Sequence, residues 1–215
     1  MAKPQNSTQL TFIITAVIFV IGVVVITLLA QGGSGPSGPV QNTSDWIKGA
    51  GNAQVEIIIF SDFQCPGCKA EAPVLDQVLS AYPEDVKVNY KHFLIPSHTL
   101  APFAAEAAEA AGNQNPDKFW EMHDLIFANQ ETLERSSFDQ FASQIGLDME
   151  KFQREMKERT YKSDVDADVQ EGNNLNVSAT PTIIINGRML DTSGQIPTFE
   201  ALQQEIDSIL ITNAT

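Results

Sequence analysis

The chain has 215 residues, a formal net charge of -14 at pH 7 and two cysteines. That length suits one folded domain with an appendage, and the acidity argues against nucleic acid, because phosphate binding needs clustered Lys and Arg. Cysteines three positions apart cannot form a structural disulfide framework. Closing their short loop stabilises by only about 2 kcal/mol before strain, so the pair is better suited to chemistry than to stapling.

Residues 10–30 (LTFIITAVIFVIGVVVITLLA) carry no charge. A helix of that length spans about 30 Å, the thickness of a bilayer's hydrocarbon core. A cleavable signal peptide is the rival reading, but its apolar region is usually shorter and ends in small residues, whereas Leu28 stands two before Ala30. The expectation is an uncleaved transmembrane anchor. Lys3 precedes it and no basic residue follows until Lys48. This places residues 1–9 in the cytoplasm and the large carboxyl-terminal part outside it, in a single-pass cell-membrane protein. Residues 31–44 (QGGSGPSGPVQNTS) read as a flexible linker, and residues 45–215 as the folded domain. Asn-x-Ser/Thr triplets begin at Asn6, Asn42, Asn176 and Asn213, and no function is attached to them.

Val55 to Phe60 (VEIIIF) is a short β-branched run suited to a buried strand. Cys65-Pro66-Gly67-Cys68 follows, and then Ala72, Val74, Leu75, Val78 and Leu79 at helical spacing, with Pro73 expected to kink the helix. Val86 to Leu94 begins with strand alternation, which completes a βαβ unit. An Ala-rich segment from Leu100, a run around Phe119 to Ile126, and two or more further segments up to Gly172 read as helices. Thr182 to Ile185 reads as a strand, Asn186-Gly187 as a hairpin turn and Arg188 to Asp191 as the paired strand. Thr198 is a plausible cap for a last helix ending near Leu210.

The position of the cysteines carries the functional argument. Thiol exchange proceeds through the thiolate, and a free Cys is mostly protonated at neutral pH. A helix amino terminus supplies unpaired N–H groups and the positive end of the dipole, which favour the anion. Pro66 suits the first helical turn, and Gly67 removes bulk beside the sulfur. Cys65 is therefore expected to be the exposed attacker and Cys68 the resolving thiol. A zinc site is the alternative, with Cys65, Cys68, His92 and His98 as ligand types, though His92 falls in a predicted strand. The bland reading of His92, His98 and His123 is structural or surface histidine. Asp62 reads as a turn or capping residue ahead of a proton-transfer role. Thr180-Pro181 stands directly before a strand, where a proline marks a strand start, an edge or a cis bond.

The segments FSDFQCPGC (60–68), KFWEMHD (118–124) and ATPTIIING (179–187), with the run from His98 into the Ala-rich helix, resemble the DsbA family of thioredoxin-fold proteins. The likeness is to the family's membrane-anchored, extracytoplasmic branch and covers residues 53–210. It implies an α/β thioredoxin fold, βαβ then ββα, with a helical insertion at about 97–172. It also implies a cis-Pro181 facing the cysteines, and a protein-disulfide oxidoreductase that introduces disulfides into reduced exported polypeptides. Thr180 and Pro181 would hold the substrate segment, and a quinone-linked membrane partner would reoxidise the pair. No cofactor or metal is implied, and a monomer is expected. Two positions depart from the family's pattern: Gly67 stands where well-known members have His, and Ile59 where they have a buried acid in the first strand.

Overall fold

A computed structural model describes residues 45–213. The predicted membrane anchor and linker lie outside the described residues. Among the described residues, no helix is long and apolar enough to cross a membrane.

Five strands form one sheet in the order β1-β3-β2-β4-β5. The centre is β2 (Val55–Ser61) lying parallel to β3 (Val86–His92), with Val55 opposite Val86 and Ser61 opposite His92. Helix α1 (Pro66–Ala81) makes the crossover between them and carries Pro73 in its interior. β4 (Thr182–Ile185) runs antiparallel to β2, and β5 (Arg188–Met189) closes the hairpin predicted at Asn186-Gly187. Asn186 and Gly187 both adopt positive φ, as that turn requires. Asn186 also clasps the neighbouring strand: its Oδ1 accepts from Glu56 N and its Nδ2 donates to Gln54 O.

The edge strand β1 (Trp46–Gly49) was not expected from the sequence. It is short and pairs antiparallel with β3. Trp46 holds it in place, stacking on Phe119 at 4.5 Å and donating its indole N–H to Glu109. The indole also lies on Gly112, where a Cβ would stand 2.2 Å from the ring, so only glycine permits this approach.

Between β3 and β4 the chain forms five α-helices: α2 (Ala101–Gly112), α3 (Pro116–Ala128), α4 (Arg135–Gln144), α5 (Met149–Glu158) and α6 (Lys162–Asn174). The insertion is that predicted, with its helices at 101–174 rather than 97–172. α2 is buried almost throughout, and its alanines let neighbouring helices approach closely. An ionic cluster around the buried Lys91 and Asp168 ties α6 to the sheet. Lys91 Nζ lies 3.3 Å from Asp168 and 2.8 Å from Asp45, and Asp168 accepts from His92 N. Helix α7 (Phe199–Asn213) ends the described chain, with Thr198 accepting from Ala201 N as expected of a cap.

Candidate active site

The site forms where β2 ends and α1 begins. Asp62 organises the turn: its Oδ1 accepts from Gln64 N at 2.7 Å and its Oδ2 from Ile95 N at 2.8 Å. It is fully buried and is engaged in the turn, as the turn reading expected. Gln64 Oε1 accepts from the backbone N–H groups of Leu100 and Ala101 at the start of α2. Gln130 Nε2 donates to the carbonyls of Phe63 and Cys65. Two amide side chains thus fasten the cysteine loop to the helical insertion on either side.

Cys65 is the N-cap of α1, in extended backbone, and Pro66 takes the first helical turn. Both cysteines are free thiols; Cys65 is partly exposed and Cys68 is buried. The Cys65 thiol is lowered to about 5. The largest cause is a hydrogen bond from the Cys68 thiol; partial burial opposes it, and the Thr180 side chain and the N–H groups of Cys68 and Gly67 add to the lowering. The Thr180 carbonyl lies 3.2 Å from Cys65 Sγ and can accept only from the neutral thiol, so the donors decide the direction. Cys68 moves the opposite way, pushed far up by burial and then by its hydrogen bond to Cys65. Asp62 N donates to its sulfur at 3.4 Å.

Thr180–Pro181 is a cis peptide bond, as the resemblance implied. A Cβ on Gly67 would lie 3.0 Å from Pro181 Cδ and 3.6 Å from Cys65 Sγ, so Gly67, Pro181 and the Cys65 sulfur meet at one point. This convergence opens onto a groove of about 740 Å3 whose walls include Cys65, Gly67, Thr180, Pro181, Met189 and Ile196. Met189 and Ile196 are exposed apolar side chains.

All six predicted site residues therefore come together. The zinc arrangement does not form: His92 Nε2 lies 3.1 Å from Glu109, and His98 Nδ1 lies 3.0 Å from Asp62. Among the described residues, the grouping whose atoms could approach a single ion is His92, Glu109 and Asp168, which contains neither cysteine. Sequence reasoning missed Gln64, Gln130 and Glu71. Glu71 is 2 % exposed on α1, one turn beyond Cys68.

A CxxC pair at a helix start, facing a cis-proline across a βαβ–ββα sheet, defines the thioredoxin-fold class. The chain belongs to the Thioredoxin family, whose model matches residues 41–208. Its fold is shared by BdbD of Bacillus subtilis in its oxidised form (TM-score 0.70, 22% identity, covering 77% of this chain and 92% of that one). It is also shared by the thiol-disulfide exchange protein alpha-DsbA2 of Wolbachia pipientis (TM-score 0.67, 20% identity, 76% and 86%). In sequence, the chain is 35% identical over 151 residues to Na(+)/H(+) antiporter NhaA 3 of Salinispora tropica, covering 70% of this chain and 23% of that protein. It is 34% identical over 171 residues to NhaA 1 of Salinispora arenicola, covering 79% and 25%. The chain spans about a quarter of the length of these curated relatives.

Proposed function

We propose that the protein is an extracytoplasmic protein thiol–disulfide oxidoreductase that introduces disulfides into reduced polypeptides through Cys65 and Cys68. One observation carries this reading: the partly exposed Cys65 sulfur is favoured as a thiolate and opens onto the groove at Thr180–Pro181. A substrate thiolate attacks Cys65 Sγ of the Cys65–Cys68 disulfide. The S–S bond breaks, Cys68 leaves with the electron pair, and a mixed disulfide forms at Cys65. A second substrate thiolate then attacks the substrate sulfur of that mixed disulfide and expels Cys65 as a thiolate. The substrate loses two electrons and the cysteine pair gains them. Thr180 and Pro181 hold the substrate segment in extended form beside β4.

The direction of flow follows from the relative stability of the two redox forms. A disulfide donor needs a stabilised reduced state, and the contacts that favour the Cys65 thiolate supply it. Gly67 adds no side-chain donor or cation beyond its backbone N–H, so the potential should lie between thioredoxin's approximately −270 mV and DsbA's approximately −120 mV. Residues 10–30 are proposed to anchor a monomer in the cell membrane with residues 45–215 outside, and a quinone-linked membrane partner to reoxidise the pair. The test is equilibration of the Cys65–Cys68 pair with glutathione buffers, alongside oxidation of a dithiol peptide. A potential at or below thioredoxin's would turn the assignment to a reductase. Absence of exchange with the peptide would leave a binding module.

A further inference from the structure

A second space adjoins the cysteine pair. It is a narrow cavity of about 20 Å3 whose lining includes Cys68, Ser61, Glu71 and Tyr90. That volume has room for one water. The same lining includes Lys48 and Asp76, an ion pair at 2.7 Å whose side chains are 38% and 55% exposed. The space therefore leads from a buried sulfur toward the surface.

Glu71 follows Cys68 by three residues on α1, which puts the two side chains on one face, about one turn apart. Its Oε1 is buried without a hydrogen-bond partner, and so is the Tyr90 hydroxyl. A buried carboxyl oxygen without a partner costs stability that an apolar side chain of similar size would not. Burial raises Glu71 to about 8, so it holds a proton at neutral pH. The neighbouring groups do not compete for that role. Burial holds His123, on α3, below its ordinary value, and Asp124 is its hydrogen-bonded partner. Burial keeps Tyr90, on β3, a neutral phenol. Asp62 is committed to backbone N–H groups and to His98, whose Nδ1 lies 3.0 Å away, and Lys48 and Asp76 are paired at the surface.

We propose that Glu71 exchanges a proton with the Cys68 sulfur across this cavity, and that the Lys48–Asp76 end is where the proton passes to and from solvent. The inference rests on the thiol–disulfide reading above. When substrate attacks Cys65, the departing Cys68 takes the electron pair into a buried site that disfavours its thiolate. The Glu71 carboxyl gives it a proton and becomes a carboxylate, which is reprotonated from solvent. When the pair is reoxidised, Glu71 first releases its proton to solvent at the Lys48–Asp76 end, and the resulting carboxylate takes the Cys68 proton as that sulfur attacks the mixed disulfide at Cys65.

The experiment is stopped-flow reduction of the oxidised protein by a dithiol peptide between pH ~5.5 and ~9.5, with rates expressed per substrate thiolate. In the wild type the rate should be level and then fall above about 8, as Glu71 loses its proton. Glu71→Gln should be slower at neutral pH by about 10- to 100-fold and lack the break, and Glu71→Asp should recover part of both. Alkylation of Cys65 in reduced Glu71→Gln should stay within about twofold of wild type, separating proton exchange from activation of the attacker. A Glu71→Gln protein with the wild-type rate and break overturns the proposal. A wild type that exchanges normally but shows no break overturns it as well. A wild type that does not exchange at all overturns the oxidoreductase reading and this proposal with it. Should the variants not fold, infrared difference spectra of the reduced and oxidised wild type decide. A buried protonated-carboxyl band perturbed by reduction supports the proposal, and an unperturbed one overturns it.

Discussion

The two sulfurs of one motif look onto opposite surroundings. Cys65 faces a wide groove of about 740 Å3 lined by the Thr180–Pro181 backbone, whereas Cys68 faces a cavity of about 20 Å3 behind the helix. Donors converge on Cys65 and lower its thiol to about 5, while burial drives Cys68 far up. Three residues of spacing at a helix start are enough to produce this contrast, because the first turn ends at the protein surface and the second begins inside it. One sulfur is open to solvent and the other is closed off from it.

The largest effect expected on this contrast comes from removing the exposed sulfur. Cys65→Ser should abolish exchange with a dithiol peptide by at least ~10³-fold, whereas Cys68→Ser, offered a disulfide-bonded peptide, should accumulate a mixed disulfide as Cys65 displaces one peptide sulfur, visible on a non-reducing gel. Retained turnover in Cys65→Ser would erase the distinction between the two sides.

The next test probes the contact between the sulfurs. The main cause of Cys65 acidity is the donor at Cys68, so Cys68→Ala should raise the Cys65 pKa and slow its alkylation at pH ~6 by about tenfold or more. Cys68→Ser keeps a donor and should lose less. Equal losses in the two variants would show that the helix start, rather than the neighbouring thiol, acidifies Cys65.

Stability should report on the closed side. The Glu71 carboxyl sits at about 8 in the folded protein against an ordinary 4.5. Between those values the native state binds the proton that the unfolded chain has released, so stability falls as pH rises through this window. Glu71→Gln removes that dependence. The variant should gain of order 2–4 kcal/mol relative to wild type at pH ~8.5 compared with pH ~4, measured by urea unfolding of the reduced form. Parallel pH profiles for the two proteins would show that the carboxyl is solvated.

The smallest effect belongs to the open side. A Cβ at Gly67 would stand 3.0 Å from Pro181 Cδ, a contact the loop can relieve by a slight shift. Gly67→Ala should therefore lower kcat/KM for a peptide by a few-fold, about 1 kcal/mol, with Cys65 alkylation nearly unchanged. A much larger loss would mean that the groove's width is more tightly set than its rim suggests.

The parts of this arrangement legible in the sequence are those that depend on local patterning. The VEIIIF run, the CPGC motif with its proline in the first turn, the TIII strand and the Asn-Gly turn each fix an element from neighbours along the chain, and all four appear where expected. The closed side was not legible in this way. A buried carboxyl was sought in the first strand, where Ile59 stands fully buried; Glu71 was overlooked because a glutamate in a helix usually reads as a solvated surface residue. Its three-residue spacing from Cys68 was the available signal. β1 escaped notice because its stability comes from Trp46 lodging against Gly112 and Phe119, contacts separated by more than sixty positions. Gln64 and Gln130 carry no pattern at all; only the folded chain shows what their amides touch.

The clasp made by those two amides has a kinetic consequence. Gln64 reaches forward to the first N–H groups of α2, and Gln130 reaches back to the carbonyls of Phe63 and Cys65. The loop that carries Cys65 therefore cannot open without unlatching from the insertion at two points. Its peptide hydrogens should exchange with deuterium in step with the ends of α2 and α3, as one cooperative unit, and not at the rate of an ordinary exposed turn. In Gln130→Ala the loop should exchange sooner while the central strands keep their protection, which would make the insertion a brace that keeps the attacking sulfur aligned between encounters.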